Sequence, residues 1–394
     1  MPTKAHKATP SFNARLLTVL RGLLAEPSGN PDRPWQRVLL KKSPPGVGAT
    51  AGALTLKGLD AKVSDDELRS QMRSALQLVK APPVQIVLPG GNVYSVERGA
   101  AGPNAPLQNE IALVTGAAGA IGEGICRGLL AKGAHVAATD LAKAPLQKLV
   151  AELEALAPGL PAIAPGLPSI ALGATDGATG GRVLGVTVDV TDEASVAAGF
   201  DAVTETWGGV DIVVVNAGIA AVASLVELEL DAFRRLERVN VEGTLLTLAE
   251  AGRRLGRQAT GGDIILISTR NVFAPGAQFG AYSATKAAGH QLARIASLEM
   301  AGADIRVNMV APDAVFGEGK HRSGLWAAVG PARMLARGLD EKGLEEYYRN
   351  RNLLKARITP EHVANAVLFF ATRQTPTTGA TLPVDGGLPD ATPR

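Results

Sequence analysis

The stretch "ISTRNVFAPGAQFGAYSATK", Ile267 to Lys286, carries a hydroxyl, a phenol and an ammonium within one short segment. Tyr282 and Lys286 lie four residues apart where the pattern opens a helix, so the two side chains share a helix face. Thirteen residues before the tyrosine stands Thr269, where a hydroxyl donor would complete a site for hydride transfer. Ser268 is its neighbour, but side chains alternate along a strand, so only one of the two can face such a site. A threonine hydroxyl holds a substrate oxygen as well as a serine does, while its methyl stiffens the side chain and narrows the pocket.

Hydride chemistry needs a carrier, and "IALVTGAAGAIGEGI" offers a seat for one: a strand, a glycine-rich turn and a helix start. Gly116 permits the tight turn, Gly119 and Ala120 keep the loop slim, and Gly122 lets the helix pack closely, so that helix N-terminal amides can meet a pyrophosphate. The next strand, "HVAATD", ends in Asp140, 24 residues after Gly116. A carboxylate there accepts from both ribose hydroxyls and repels a 2′-phosphate, which favours NAD over NADP. Asp140 also suits the N-cap of the helix that follows. Asp189, ending "VTVDV", stands where an adenine edge can be read, and Asn216-Ala217-Gly218 gives a small-residue strand end for close approach to a dinucleotide.

These groups need a scaffold, and from Ile111 onward apolar runs alternate with helical patterns, which implies a parallel sheet covered on both faces. Seven runs ("IALVT", "HVAAT", "VLGVTV", "DIVVV", "DIILIS", "DIRVNMV", "TLPV") predict an α/β, Rossmann-type, doubly wound seven-stranded sheet over residues 107–394. Residues 157–181, with "APGLP" twice, read as a Pro/Gly-rich surface insertion, and 314–357 as a substrate lid. Residues 1–34 read as a basic arm with a short apolar stripe (Leu16, Leu17, Leu20, Leu23, Leu24), fitting either an organelle-targeting segment or an ordinary helix. Residues 35–106 read as a small α/β extension of unknown role, with a helix capped by Ser64 and a strand at "VQIVL".

Taken together, "TGAAGAIG", "VDV", "NAG", "RVNVEG", "YSATK" and "RVNMVAPD" resemble the short-chain dehydrogenase/reductase family over roughly residues 107–388. The resemblance implies that Tyr282 is the general acid/base and that Lys286 lowers its pKa and holds the nicotinamide ribose. It implies that Asn240 anchors a water linking Lys286 to solvent and that Thr269 orients the substrate. It adds Ile121, Val190 and Pro312, with Tyr282 and Lys286, to the cofactor contacts. It also implies a homodimer or homotetramer, assembled through the long helices around 232–256 and 281–301.

Within that family, "STRN", "PDAVFG", "LEEYYRNRNLL" and "VDGGLPDATPR" resemble the dehydrogenase half of bifunctional rhamnulose-phosphate aldolase/short-chain dehydrogenase proteins. That implies a small secondary alcohol, polyol or hydroxyaldehyde as substrate. Asp313 departs from the family pattern, following Pro312 where glycine is usual, beside the nicotinamide and the substrate entrance. Asn271 and the lid residues Lys320, His321 and Arg322 are candidates for substrate contact. Two rivals stay open: a 3-oxoacyl thioester reductase, against which Asp140 counts, and a non-catalytic dinucleotide-sensing scaffold, against which Tyr282 and Lys286 count.

Composition narrows the remaining classes. The 394 residues are 46% hydrophobic and 20% charged, in the range of globular proteins, and no run approaches the length needed to span a bilayer. The single cysteine, Cys126, excludes an intramolecular disulfide, and the five histidines lack metal-ligand spacing. The expectation is a cytoplasmic protein with a small-molecule substrate, no metal, no membrane and no nucleic-acid partner. The net charge of +3 divides into +7 over residues 1–107 and −4 over the rest. A basic bias of that kind marks contact with nucleic acid, anionic lipid or an acidic partner, or a solvated extension, and the scatter of the charges favours the solvated extension.

Overall fold

The computed structural model describes residues 10–99, 101–156, 181–317 and 324–389. The predicted insertion lies outside the described residues except for Gly181, and so do Lys320, His321 and Arg322.

The catalytic half begins at β7 (Ile111–Thr115) and continues through α3 (Ala120–Ala131), β8 (His135–Asp140), α4 (Lys143–Leu156), β9 (Val183–Thr187) and α5 (Glu193–Trp207). After β10 (Ile212–Val215) come α6 (Leu230–Glu237), one turn of π-helix (Arg238–Glu242), α7 (Gly243–Gln258) and β11 (Gly262–Ile267). The chain then forms α8 (Gly280–Met300), β12 (Ile305–Pro312), α9 (Gly324–Arg337), α10 (Glu341–Asn350), α11 (Pro360–Ala371) and β13 (Thr381–Val384). All seven strands are parallel, in the order β13-β12-β11-β10-β7-β8-β9, which is the expected doubly wound sheet.

Alternation along each strand feeds two cores. Ala112 and Val114 of β7 pack with Ile125, Leu129 and Val367 on one face, while Ile111 and Leu113 pack with Phe200, Trp207 and Leu255 on the other. Strands covered on both faces have no use for polar positions, which is why β7, β10 and β11 are buried throughout. The strand order reverses between β7 and β10. In sheets of this kind the crevice opens there, at the carboxyl ends of the strands.

Ahead of this unit come α1 (Phe12–Leu24), β1 (Glu26–Asn30), β2 (Arg33–Gln36), β3 (Leu39–Lys42), β4 (Leu54–Thr55), α2 (Asp65–Gln77), β5 (Gln85–Val87) and β6 (Val93–Glu97). The apolar stripe of α1 packs with Leu68 and Met72 of α2 and with Leu40, Ile86 and Tyr94 of the four-stranded sheet β3-β6-β5-β4. The first helix, expected as part of a separate arm, therefore shares one core with residues 38–96. Ser64 caps α2 by accepting from the Glu67 amide.

Part of the basic bias of residues 1–107 is answered inside the chain. Arg21 and Arg37 pair with Asp211 and Glu110, and Arg15 pairs with Asp65. Asp211 precedes β10 and also accepts from the Ile111 amide at 2.8 Å, so the extension is fastened at the amino ends of the central strands. That is the edge of the sheet opposite the crevice.

Candidate active site

A cavity of about 560 Å³ opens at the carboxyl ends of β7 through β12. Every cofactor-contact residue read from the sequence, from Gly116 to Pro312, lines it, as do Thr269, Tyr282 and Lys286. Asn240 does not line the cavity; it stands behind it in the π-helical turn.

The dinucleotide end is shaped by close backbone approach. Gly116 has φ +60°, and a Cβ there would stand 2.8 Å from the Ala217 Cα; a Cβ on Gly122 would stand 2.4 Å from the Gly116 carbonyl oxygen. Both positions require glycine, and together they bring the N-terminus of α3 against the turn. Asn216 holds that turn from the neighbouring strand, its Nδ2 donating at 2.9 Å to the carbonyls of Thr115 and Gly116. The Thr115 hydroxyl in turn accepts from the amides of Asn216 and Ala217, at 2.9 and 3.0 Å.

Asp140 is held by two backbone amides. Oδ1 accepts from the Ala142 amide and Oδ2 from the Ala118 amide, each at 3.0 Å, so one carboxylate ties the end of β8 to both the next helix and the glycine turn. A carboxylate has roughly four lone-pair sites, so capacity remains for ribose hydroxyls. Asp189 is similarly tied, accepting from the Thr191 amide and hydroxyl at 2.9 and 2.7 Å. An adenosine-pyrophosphate-nicotinamide group fits this cradle: an open helix N-terminus, a turn stripped of side chains, and an acid at the second strand end.

At the chemical end, Tyr282 and Lys286 project from the first turns of α8 and Thr269 follows β11. Thr269 and Tyr282 face the same cavity, where the Thr269 hydroxyl accepts from the Asn271 amide at 3.3 Å, while the Ser268 hydroxyl meets His290 Nδ1 at 2.9 Å. Lys286 Nζ donates to the Ile267 carbonyl at 3.0 Å. Asn240 Oδ1 accepts from the Ile219 amide at 2.9 Å, and its Nδ2 donates to the Ile219 carbonyl at 2.9 Å and to Thr285 Oγ1 at 3.1 Å. A Cβ added to Gly218 would lie 3.1 Å from Lys286 Nζ and 3.2 Å from Asn240 Oδ1, so the lysine and asparagine converge on that glycine.

Burial is the largest influence on the Tyr282 phenol and drives it up to about 12, opposed by the nearby Thr269 hydroxyl and by Arg270. Burial brings Lys286 down to about 8. The reason is enclosure: Tyr282 packs with Phe279 and Val329, and Lys286 spends its hydrogen bond on a backbone carbonyl.

Sequence reading missed Arg270, Phe279, Val329 and Tyr348, which line the same cavity, and Arg351, which stands beside them. Asp313 is the sequence feature from which the arginines could have been found. An acid beside an enclosed site needs cations near it, and its Oδ1 accepts from Arg270 Nε at 2.9 Å and from Arg351 Nη2 at 2.6 Å. Asn271 also lines the cavity.

Residues 110–165 and 170–324 match the family model described as short chain dehydrogenase. An uncharacterized oxidoreductase of Bacillus subtilis is 34% identical over 73% of this chain, and that match spans only 39% of the Bacillus protein. The D-threitol dehydrogenase of Mycolicibacterium smegmatis is 30% identical over 71% of this chain and 93% of its own length. Among solved structures, the sorbitol-6-phosphate 2-dehydrogenase of Erwinia amylovora superposes with TM-score 0.59 and 28% identity, over 70% of this chain and 98% of that one.

Proposed function

The chain belongs to the short-chain dehydrogenase family, and from that premise we propose that it oxidises a small secondary alcohol or polyol, or reduces the matching carbonyl, with NAD. One observation carries this reading: Thr269, Tyr282 and Lys286, the last one helical turn beyond the tyrosine, line the same cavity as the glycine turn. Tyr282 exchanges the proton of the substrate oxygen, Thr269 holds that oxygen, and Lys286 holds the ribose. When bound, the nicotinamide takes or gives the hydride.

The NAD preference rests on Asp140, whose carboxylate at the end of β8 disfavours a 2′-phosphate. The substrate class is supported by relatives named as threitol, sorbitol and meso-2,3-butanediol dehydrogenases. Among the described residues no group of three His, Cys, Asp or Glu could hold a metal, and no helix is long and apolar enough to cross a membrane. Assembly as a homodimer or homotetramer is supported by the exposed apolar side chains Leu245 of α7 and Ile295 and Leu298 of α8.

The test is dinucleotide titration, NAD against NADP, with initial rates on a panel of small diols, polyols and 3-oxoacyl thioesters. NAD-dependent oxidation of diols or polyols supports the reading. Turnover restricted to thioesters would transfer it to the reductase alternative, and tight binding with no turnover would favour a sensing role.

A further inference from the structure

Around the substrate end of the cavity the described charges do not balance. Three guanidiniums, of Arg270, Arg333 and Arg351, surround Tyr348 and a single carboxylate, Asp313. Arg270 and Arg351 both donate to the same oxygen of Asp313, at 2.9 and 2.6 Å. Arg351 lies over the Tyr348 ring at 4.3 Å, and its Nε is buried without a partner among the described residues. Arg333, 3% exposed, donates through Nε and Nη2 to Tyr348 Oη at 3.2 and 3.0 Å and covers the Phe279 ring at 4.4 Å, with no carboxylate paired to it among the described residues. Arg270, Asp313, Phe279 and Tyr348 all face the cavity.

We propose that the substrate carries an anionic group, a phosphate or a carboxylate, received by Arg270 and Arg351 at the mouth of the cavity. This rests on the dehydrogenase reading above and narrows its substrate class. A guanidinium presents five donors in a planar fork that suits carboxylate and phosphate oxygens. Here Arg351 spends one of its five on Asp313, and Arg270 spends one on Asp313 and one on the Ala274 carbonyl. Burying cations in excess of anions is unfavourable unless a counter-charge arrives. Consistent with that, burial pushes Arg270 below the ordinary arginine value, Asp313 opposes the shift, and the like charge of Arg351 adds to it. Asp313 thus fixes the two arginines in place without neutralising both. Arg333 is a positioning residue, holding Tyr348 beneath Arg351.

The experiment compares three alcohols with the same secondary carbinol: propane-1,2-diol, its 1-phosphate, and lactate. Initial rates with NAD are measured on the full chain for wild type, Arg351→Gln and Arg351→Lys. The expected result is that one anionic alcohol exceeds the diol in kcat/KM by about tenfold or more, and that Arg351→Gln collapses the ratio mainly through KM. Arg351→Lys should recover part of it. Which anionic alcohol wins separates a phosphate from a carboxylate substrate. A wild type that prefers the diol, or a ratio that Arg351→Gln leaves untouched, overturns the proposal. NADH binding by the same variants checks that they fold.

If none of the three alcohols turns over, the polyol reading fails on its own account. The anion site is then decided by titrating inorganic phosphate or acetate into the NADH complex and following nicotinamide fluorescence. Saturable binding that Arg351→Gln abolishes sustains the site, and no binding of either anion removes it.

Discussion

Arg21 of the first helix and Asp211, at the foot of β10, form a two-pronged ion pair: Nη1 to Oδ1 and Nη2 to Oδ2, both 2.7 Å, with side chains 1% and 0% exposed. Arg37 adds a further contact to Oδ1 at 3.1 Å. Burial alone would raise the Asp211 carboxyl, but the two arginines together hold it below the usual carboxylate range. Removing one partner of such a pair strands a buried charge. Asp211→Asn should therefore destabilise the protein by about 3–5 kcal/mol, read as a lowered denaturation midpoint. A loss under about 0.5 kcal/mol would mean that the pair does not fasten the extension. Because the folded value is depressed, this contribution is complete above the ordinary aspartate pKa of about 4 and is lost as the pH falls from there through the lower, folded value.

Tyr282→Phe removes the exchangeable proton and little else. Turnover should fall by about 10²–10⁴-fold while NADH binding persists. Full activity in this variant would exclude the phenol from the chemistry.

The pH profile follows from two enclosed groups. With Tyr282 near 12, the phenolate is scarce at neutral pH and rises tenfold with each unit, while Lys286, near 8, loses its charge just above neutrality. For alcohol oxidation, log kcat/KM should climb with slope near one up to about pH 8 and bend over above it. Carbonyl reduction should weaken over the upper range. A flat oxidation profile between pH 6 and 9 contradicts this assignment.

Under the proposed reading Thr269 holds the substrate oxygen, and its nearness also brings the Tyr282 phenol down. Thr269→Ser keeps the hydroxyl and should keep the rate within a few fold. Thr269→Ala should cost about 10–10³-fold and move the oxidation profile to higher pH. Equal rates for the two variants would assign the work to another donor.

Asp140 offers a test of cofactor choice independent of catalysis. Asp140→Ser keeps a short acceptor for the Ala118 and Ala142 amides but removes the negative charge, so the ratio of NADP to NAD affinity should rise by about tenfold or more. An unchanged ratio would place the discrimination elsewhere.

How much of this was legible in the sequence depended on how local the signal is. The seven apolar runs, the glycine turn and the Tyr282–Lys286 pair are short-range patterns, and they read directly. The pairing of Arg21 with Asp211 spans 190 positions and that of Arg37 with Thr260 spans 223, and no periodicity announces contacts of that range. The arginine cluster at Asp313 was hidden for the same reason, although an acid where glycine is usual is a feature from which it could have been found. The π-helical turn that presents Asn240 left no mark, because one wide turn between two helices barely disturbs the apolar rhythm. The direction of the Tyr282 shift needed the enclosure itself, which depends on Phe279 and Val329 meeting over the ring.

The fastening of the first helix also bears on the order of assembly. Ser11 meets Glu205, Arg21 meets Asp211 and Arg37 meets Thr260, so these contacts wait for chain that follows by about 190 to 220 residues. Contacts of such separation close late and slowly, since a long loop must be ordered before they return any stabilisation. During synthesis the stripe of Leu16, Leu17 and Leu20 has α2 and its small sheet for company well before β10 emerges. The extension can then gather locally and clamp the sheet only once that strand is in place.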